Sequence, residues 1–218
     1  MLVDGKKIAA DIRVRIREAL ELSGRALSLG VLCVGEDEVT RKFIDAKKKA
    51  AEEIGVAVVE KKVTEAETVE GLLEVLGDLV ATTNGVVVQL PLPDHIDRKK
   101  VCASLPASHD VDCLGDAARD AFVRGESPLL PPVIAAIKEI LARYSVTVSG
   151  KKVTIVGKGL LVGAPALVWF TNNGAQVANV DEHDDVASQT RDADIVVLGA
   201  GAPHLLQPGI MGVASVAH

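Results

Sequence analysis

The sequence predicts an α/β protein in which short parallel strands alternate with helices. Apolar residues make up 48% of the 218 residues, but aromatic residues make up only 2%. The core must therefore be built from valine, leucine, isoleucine and alanine, which is typical of a buried parallel sheet. Short apolar runs also alternate with stretches of helical spacing, and this alternation occurs twice along the chain. A chain of this length can form one large domain or two small ones.

The first series begins with a helix, since Asp4 can cap it and isoleucines follow at four-residue spacing. Gly55 stands where a helix C-terminal cap belongs, and Asn84-Gly85 is a typical turn. These signals predict helices over 4–22, 37–54 and 68–80 and strands over 29–34, 56–63 and 86–88. That order predicts a parallel sheet with crossover helices.

Residues 105–132 interrupt the rhythm with prolines, acidic residues and no clear period. A helix over 132–144 follows, with Pro132 at a position that helices tolerate. The second series then runs through strand 152–156, a glycine-rich turn, a helix ending near Asn173-Gly174, strand 176–181, a short helix and strand 194–198. We therefore expect two domains, residues 1–125 and 126–218.

Charge and composition exclude several classes of protein. The formal net charge is −6, and aromatic residues are scarce, which argues against general nucleic-acid binding. No apolar run approaches the roughly 20 residues of a membrane span, and the first residues carry too many charges for a signal peptide. Cys33, Cys102 and Cys113 are too few and too widely spaced for a disulfide framework or a metal site. We expect a cytoplasmic protein without a metal, a membrane or a nucleic-acid partner.

A glycine-rich turn follows the strand of residues 152–156. Its sequence, Gly157-Lys158-Gly159-Leu160-Leu161-Val162-Gly163, leads into a helix, so backbone amides and the helix dipole can face a phosphate. Asp181, at the end of the next strand, can accept hydrogen bonds from ribose hydroxyls and would repel a 2′-phosphate. The alternatives are a tight turn without a ligand and a solvated acidic loop. The strand-turn-helix context favours a nucleotide site.

One lysine interrupts an apolar stripe in the predicted helix 37–54. The stripe consists of Val39, Phe43, Lys47, Ala50 and Ile54, whose spacing places them on one helix face. Lys47 either extends its charge past the edge of that face or lies partly desolvated in a cleft. The second position would lower its pKa and make it a usable acid or base near neutrality.

Two further segments carry polar groups near strand ends. Gln89 follows the buried strand 86–88, where α/β sheets place ligands, although it could merely satisfy loop backbone. Asp110-Val111-Asp112 places two carboxylates near a chain reversal, which ordinary turn chemistry could also explain.

Together these segments resemble, in one order over residues 2–206, the bifunctional methylenetetrahydrofolate dehydrogenase / methenyltetrahydrofolate cyclohydrolase family. The segment Thr40-x-x-Phe43-Ile44-x-x-Lys47 is similar to the family's S-x-x-Y-V-x-x-K. Val88-Gln89-Leu90-Pro91-Leu92-Pro93 matches V-Q-L-P-L-P directly and is the most specific motif. The family also has the D-V-D of K-D-V-D-G, matched at 110–112, and G-R-S-x-x-V-G-x-P, which residues 157–165 resemble. Residues 193–203 follow its A-D-I-x-x-x-x-x-G-x-P segment.

The resemblance implies a three-layer α/β catalytic domain, a Rossmann-like nucleotide-binding domain and a cleft between them. It implies oxidation of 5,10-methylene-tetrahydrofolate with NAD(P)+ and hydrolysis of the methenyl product to 10-formyl-tetrahydrofolate. By match, Lys47 is the acid/base for hydrolysis, Gln89 holds and tunes it, and Asp112 hydrogen-bonds the pterin ring. Phe43 would pack against the folate ring, and a homodimer is expected. The substrate-binding set comprises Thr40, Phe43, Leu90, Pro91 and Asp112.

The same resemblance implies that the nucleotide is NADP or NAD and implies which residues would contact it. Phe43 replaces the family's tyrosine, and Lys158-Gly159 replaces its Arg-Ser. Acidic residues at 181–185 replace a stretch that usually carries serine and threonine, so charge favours NAD slightly. If NADP binds, Lys158 and His183 are the nearest phosphate partners. The cofactor-binding set comprises Gly157, Lys158, Gly159, Val162, Gly163, Asp181 and His183.

The end of the sequence departs most from the family pattern. Residues 209–218 read GIMGVASVAH, where further strands, a P-V-P-G-G-V-G-P-x-T loop and a closing helix are expected. We therefore expect an incomplete nucleotide-binding domain, either because the protein is naturally short or because the sequence omits part of it. The alternatives to a bifunctional enzyme are a chain that retains one activity, a non-catalytic folate- or nucleotide-binding subunit, and a generic Rossmann dehydrogenase. The last does not explain V-Q-L-P-L-P.

Overall fold

A computed structural model describes residues 2–35, 38–64, 67–181 and 183–201. The chain divides into two compact units, one of residues 4–129 and one that includes the residues from 130 onward. Glu182 of the acidic stretch 181–185, Pro203 of the segment 193–203 and the segment 209–218 lie outside the described residues. Within the described ranges, no helix is long and apolar enough to cross a membrane.

The first unit contains a parallel sheet of three strands in the order β2-β1-β3. Asp4 caps its first helix by accepting a hydrogen bond from the Lys7 amide, and Gly24 ends that helix in the left-handed conformation. The elements are α1 (Gly5–Ser23), β1 (Ser28–Val34), α2 (Glu38–Glu53), β2 (Ala57–Val63), α3 (Val69–Thr82), β3 (Gly85–Val88), α4 (Arg98–Ala103) and α5 (Asp116–Val123).

Both faces of this sheet are covered by helices. Leu32 and Val88 point to one face, where they pack with leucines of α3 and with Val101 of α4. Their neighbours Val31 and Val87 point to the other face, where they pack against Ile44 of α2. β1 and β3 are therefore apolar on both faces, as in parallel sheets that are buried on both sides. The expected three-layer arrangement is confirmed.

The second unit repeats the same topology, with a parallel sheet in the order β5-β4-β6. Val156, Val180 and Val196 pack on one face with Val186 of the short helix that precedes the last described strand. The elements are α6 (Pro132–Arg143), β4 (Lys152–Val156), α7 (Gly163–Asn172), β5 (Gln176–Val180), α8 (Val186–Arg191) and β6 (Ile195–Leu198).

The sequence signals place the elements of both series correctly but miss two helices. The region 105–132 is not irregular throughout, because α5 lies within it, and α4 precedes it unpredicted. α5 spans two turns and buries only Ala118 and Phe122, one turn apart. So short a helix gives too few apolar repeats for its period to be recognised.

The shared strand order fixes where ligands can bind. In each sheet the first strand is central, and the chain places the second strand on one side of it and the third on the other. Adjacent loops at the carboxyl ends of the first and third strands therefore diverge, which is where open α/β sheets bind ligands. In the first unit Gly35 and Gln89 follow these strand ends, and in the second unit Gly157 and Gly199 do so.

Glycines allow the loops of the second unit to approach each other closely. Gly157 has a φ of 106°, and a Cβ there would lie 2.8 Å from the Ala200 nitrogen. A Cβ on Gly163 would meet the carbonyl group of Gly157, with the carbonyl carbon at 2.7 Å. A Cβ on Gly199 would lie 2.7 Å from Cγ1 of Val162. The start of α7 thus rests directly on the turn after β4.

We expect Gly163→Ala to lower the free energy of unfolding by about 1–3 kcal/mol, because the added methyl group forces two backbone segments apart. Gly159→Ala is the matched control, since the nearest atom to its Cβ would be the Gly199 oxygen at 4.0 Å. Urea unfolding followed by the fluorescence of Trp169, which lies on α7, measures both variants. Equal stability of the two variants would contradict this close approach.

Candidate active site

A hydrogen bond joins α2 to the end of β3. The ammonium Nζ of Lys47 donates to Oε1 of Gln89 over 2.8 Å. Gln89 is only 8% exposed, and its backbone amide continues the ladder by donating to the carbonyl of Leu32 on β1. Its side-chain amide donates to the Leu90 carbonyl over 2.7 Å, which turns the side-chain oxygen toward Lys47. The backbone and the side-chain amide of Gln89 are therefore both held by hydrogen bonds that do not involve Lys47.

The apolar stripe of α2 does not enter the core. The buried face of α2 carries Thr40, Ile44 and Ala51, whereas Val39 and Phe43 are 63% and 58% exposed. Lys47 is half-buried, one turn beyond Phe43 on the same face. Phe43 and Lys47 therefore border a surface that a flat ligand can reach.

The remaining substrate-binding candidates lie at different depths. Thr40 is 6% exposed, on the core side of α2. Leu90 is half-buried and Pro91 is exposed, and the peptide bond between them is cis. Of these three residues, Pro91 is the one whose side chain is open to solvent.

Asp112 lies near Lys47 in a partly desolvated environment. Burial raises the pKa of its carboxyl, the negative charge of Asp110 raises it further, and the positive charge of Lys47 opposes both. Lys47, Gln89 and Asp112, which are far apart in sequence, are thus brought together within the first unit. They offer an ammonium, an amide oxygen and a carboxyl group to a polar ligand.

The cysteines near this loop are unsuited to nucleophilic chemistry. Burial, followed by the negative charge of Asp110, raises the pKa of both the Cys102 and Cys113 thiols to about 11. Thiols with so high a pKa are protonated at neutral pH, and the thiolate is the reactive form. In the part of the chain that the structure describes, no group of His, Cys, Asp and Glu side chains could hold a metal ion.

The second unit presents a separate concave turn. Gly157, Gly163 and Gly199 form a cradle that any Cβ would fill, and the backbone is open at Gly159. Val162 precedes α7 and supplies no side-chain cap to the first amides of the helix. A helix start without a side-chain cap beside a glycine cradle fits the pyrophosphate of a dinucleotide. The residues present therefore suit NAD(P).

Charged side chains stand beside this cradle. Nζ of Lys158 lies 3.7 Å from Oδ2 of Asp181, and both side chains are partly exposed. Asp184 accepts a hydrogen bond from the Asp181 amide over 2.6 Å, which fixes the backbone just after β5. His183 is exposed on the same loop. Lys158, the cation expected to bind a phosphate, thus has the carboxylate of Asp181 beside it.

Sequence reasoning gave Asp110 no role of its own, although it lies in the D-V-D segment. It is 1% exposed and accepts hydrogen bonds from the Leu114 and Gly115 amides. The available signal was a carboxylate followed by a glycine that begins a helix, a pattern seen in loops closed by a side chain.

Known proteins are similar to this chain in sequence and fold. The family model for the tetrahydrofolate dehydrogenase/cyclohydrolase catalytic domain matches residues 3–112, and that for its NAD(P)-binding domain matches residues 131–216. The bifunctional protein FolD of Prochlorococcus marinus is 32% identical over 212 residues, which cover 94% of this chain and 70% of that protein.

Two crystal structures extend the comparison. A bifunctional FolD dehydrogenase/cyclohydrolase from Campylobacter jejuni is 29% identical, with a TM-score of 0.94 over 100% of this chain and 79% of that chain. The Trypanosoma brucei FolD, complexed with NADP and an inhibitor, is 27% identical, with the same TM-score over 100% and 77% of the two chains. With both family models matched in order, this chain belongs to the tetrahydrofolate dehydrogenase/cyclohydrolase family.

Proposed function

We propose that this chain oxidises 5,10-methylene-tetrahydrofolate with NAD(P)+ and hydrolyses the resulting methenyl form to 10-formyl-tetrahydrofolate. Its relatives at about 30% identity are bifunctional FolD proteins, and its second domain is an NAD(P)-binding domain. The observation that carries the proposal is the Lys47–Gln89 hydrogen bond, because it holds the amine that the family resemblance assigns to hydrolysis near Asp112.

The substrate is held by one apolar and one polar contact. The exposed ring of Phe43 offers a face against which a folate ring can stack. Asp112, once ionised, can accept hydrogen bonds from the amino and ring N–H groups of the pterin. Because Phe43 lacks a hydroxyl, it offers the substrate only its ring.

Hydrolysis requires a proton to leave one atom and reach another. Water adds to the methenyl carbon, and Lys47, as the neutral amine, removes a proton from the attacking oxygen. The carbon–N5 bond then breaks as N5 takes that proton from Lys47, and the remaining hydroxyl proton passes to water, which leaves a formyl group on N10. Gln89 keeps Nζ in place through both transfers by accepting its hydrogen bond.

The glycine cradle holds the dinucleotide during oxidation. When bound, the nicotinamide accepts the hydride that leaves the one-carbon bridge. Gly157, Gly159 and Gly163 let the backbone approach the pyrophosphate, and Val162 and Lys158 flank it. These roles follow from the open backbone at Gly159 and from the start of α7, which has no side-chain cap.

The charges beside the cradle favour NAD. Asp181 can accept hydrogen bonds from the ribose hydroxyls and would repel a 2′-phosphate. Lys158 lies within 3.7 Å of Asp181, so its charge is partly balanced before a phosphate arrives. His183 remains the other candidate partner of a 2′-phosphate.

Two further expectations stay predictions. A homodimer is expected from the family resemblance, and sedimentation velocity of the purified chain tests it. A cytoplasmic location agrees with three buried cysteines, Cys33, Cys102 and Cys113, that form no disulfide bonds, which suits a reducing compartment.

We expect Lys47→Met to reduce methenyl hydrolysis by about 10²–10⁴-fold, since general acid–base catalysis contributes that much. Lys49→Met is the matched control, because Lys49 is an exposed lysine on the same helix. The absorbance of methenyl-tetrahydrofolate follows the reaction in both variants. Undiminished hydrolysis by Lys47→Met would refute the assignment of Lys47 as the acid/base. A parent chain that hydrolyses the methenyl form but does not oxidise the methylene form would be an enzyme with a single activity.

We expect Asp112→Asn to weaken folate binding while stabilising the free protein above about pH 4, where an unfolded aspartate ionises. Burial raises the folded-state pKa of Asp112, so the parent loses stability as pH rises through that range. The advantage of the variant therefore grows with pH and vanishes in acid. Thermal unfolding against pH measures it, with the exposed Asp94→Asn as control. A pH-independent difference would contradict the desolvation of Asp112.

We expect Asp181→Ser to raise the NADP/NAD ratio of kcat/KM by about tenfold, the order expected for removing one charge near a phosphate. Asp185→Ser is the matched control: it makes the same change in net charge, and serine can replace Asp185 as the cap of α8. Initial rates with each dinucleotide give the ratios. The same ratio in parent and Asp181→Ser would remove Asp181 from cofactor choice.

A further inference from the structure

The carboxylate of Asp110 closes the loop that carries Asp112. Oδ1 accepts a hydrogen bond from the Leu114 amide over 3.1 Å, and Oδ2 accepts one from the Gly115 amide over 2.7 Å. The residue is 1% exposed, so both bonds are shielded from water. Charge-assisted bonds of this kind are among the stronger hydrogen bonds in proteins.

The backbone of Asp110 ties the same loop to the sheet. Asp110 forms an isolated parallel bridge with Val86 of β3, and the Val86 amide donates to the His109 carbonyl over 2.7 Å. β3 is also the strand that ends at Gln89. The loop is therefore in register with the strand that positions the glutamine.

Between these two attachments the chain makes an unfavourable turn. Cys113 has a φ of 55°, in the left-handed region that residues with a Cβ rarely adopt. Its amide donates to the Asp110 carbonyl over 3.3 Å. The matching position in the family motif is glycine, which adopts this conformation freely. Here the hydrogen bonds of Asp110 must hold the turn that glycine would otherwise permit.

Gly115 provides the space for this closure. A Cβ at Gly115 would lie 2.7 Å from the Cys102 carbonyl oxygen and 3.1 Å from Oδ2 of Asp110. Only glycine lets the Gly115 amide approach the buried carboxylate so closely while α4 lies behind it.

We propose that Asp110 is a positioning residue that acts through Asp112. By binding the Leu114 and Gly115 amides it holds the left-handed turn at Cys113 and so fixes where the Asp112 carboxylate meets the folate ring. The inference rests on the proposed function, since it assigns Asp112 to the pterin. Asp110 itself is bound to backbone and does not touch the reacting atoms.

Asp110 has a second, electrostatic effect on the same group. Its negative charge raises the pKa of Asp112, as burial does, whereas Lys47 on α2 lowers it. The thiols of Cys113 and of Cys102 on α4 also face these carboxylates. Removing the charge of Asp110 should therefore lower the pKa of Asp112.

Two variants separate position from charge. Asp110→Asn keeps the shape but leaves one of the two amides without an acceptor, and Gly115→Ala displaces the loop while leaving every charge in place. We expect each to raise KM for methenyl-tetrahydrofolate by about tenfold, the order of one charged hydrogen bond lost, with kcat within about threefold. Asp120→Asn is the control, because Asp120 is an exposed residue on α5. Circular dichroism establishes that each variant is folded.

The pH dependence gives a readout that a purely structural role would not move. In the ligand-free chain, NMR titration of the Asp112 carboxyl carbon should give a lower pKa in Asp110→Asn than in the parent. An unchanged pKa of Asp112 would overturn the inference, even if the parent binds no folate. An unchanged KM in both folded variants would also overturn it, whereas a parent chain that neither binds nor hydrolyses folates would refute the proposed function instead.

Discussion

The hydrogen bond between Lys47 and Gln89 is the interaction on which the proposed chemistry of the first unit depends. It exists because Gln89 continues the ladder of the sheet by donating to the Leu32 carbonyl, while its side-chain amide is anchored to Leu90. A lysine on a neighbouring helix then meets a fixed acceptor rather than a mobile one. Held in this way, the lysine keeps its amine near the carboxyl group of Asp112.

The second unit uses the same sheet topology for a different ligand chemistry. At the corresponding strand ends it places glycines rather than polar side chains, so backbone amides do the binding. Gly163 and Gly199 are needed because the start of α7 rests on the turn after β4. One architecture thus carries the proposed site for proton transfer and the proposed site for a dinucleotide, and the residues that follow the strand ends distinguish them.

The departures from the family motifs cluster around these two sites. Phe43 keeps an exposed ring but loses a hydroxyl, and Cys113 occupies a left-handed position where the motif has glycine. Phe43 keeps the aromatic ring of the family's tyrosine but lacks its hydroxyl. Cys113 keeps the left-handed backbone conformation but lacks the conformational freedom of glycine. The surrounding contacts, Lys47–Gln89 and the bonds of Asp110, then carry more of the function.

Apolar periodicity and turn residues were sufficient to predict the strands, the long helices and the glycine turn, because these patterns are local. The motifs predicted Lys47, Gln89 and Asp112, but not α4 and α5, whose few turns give no period. The outward orientation of Phe43 was also hidden, since spacing assigns residues to a face and not to the core. The sequence by itself determined which chemical groups are present. Only the tertiary structure decided that Asp110 is bound to backbone and Asp112 lies near Lys47, because that distinction depends on contacts between distant segments.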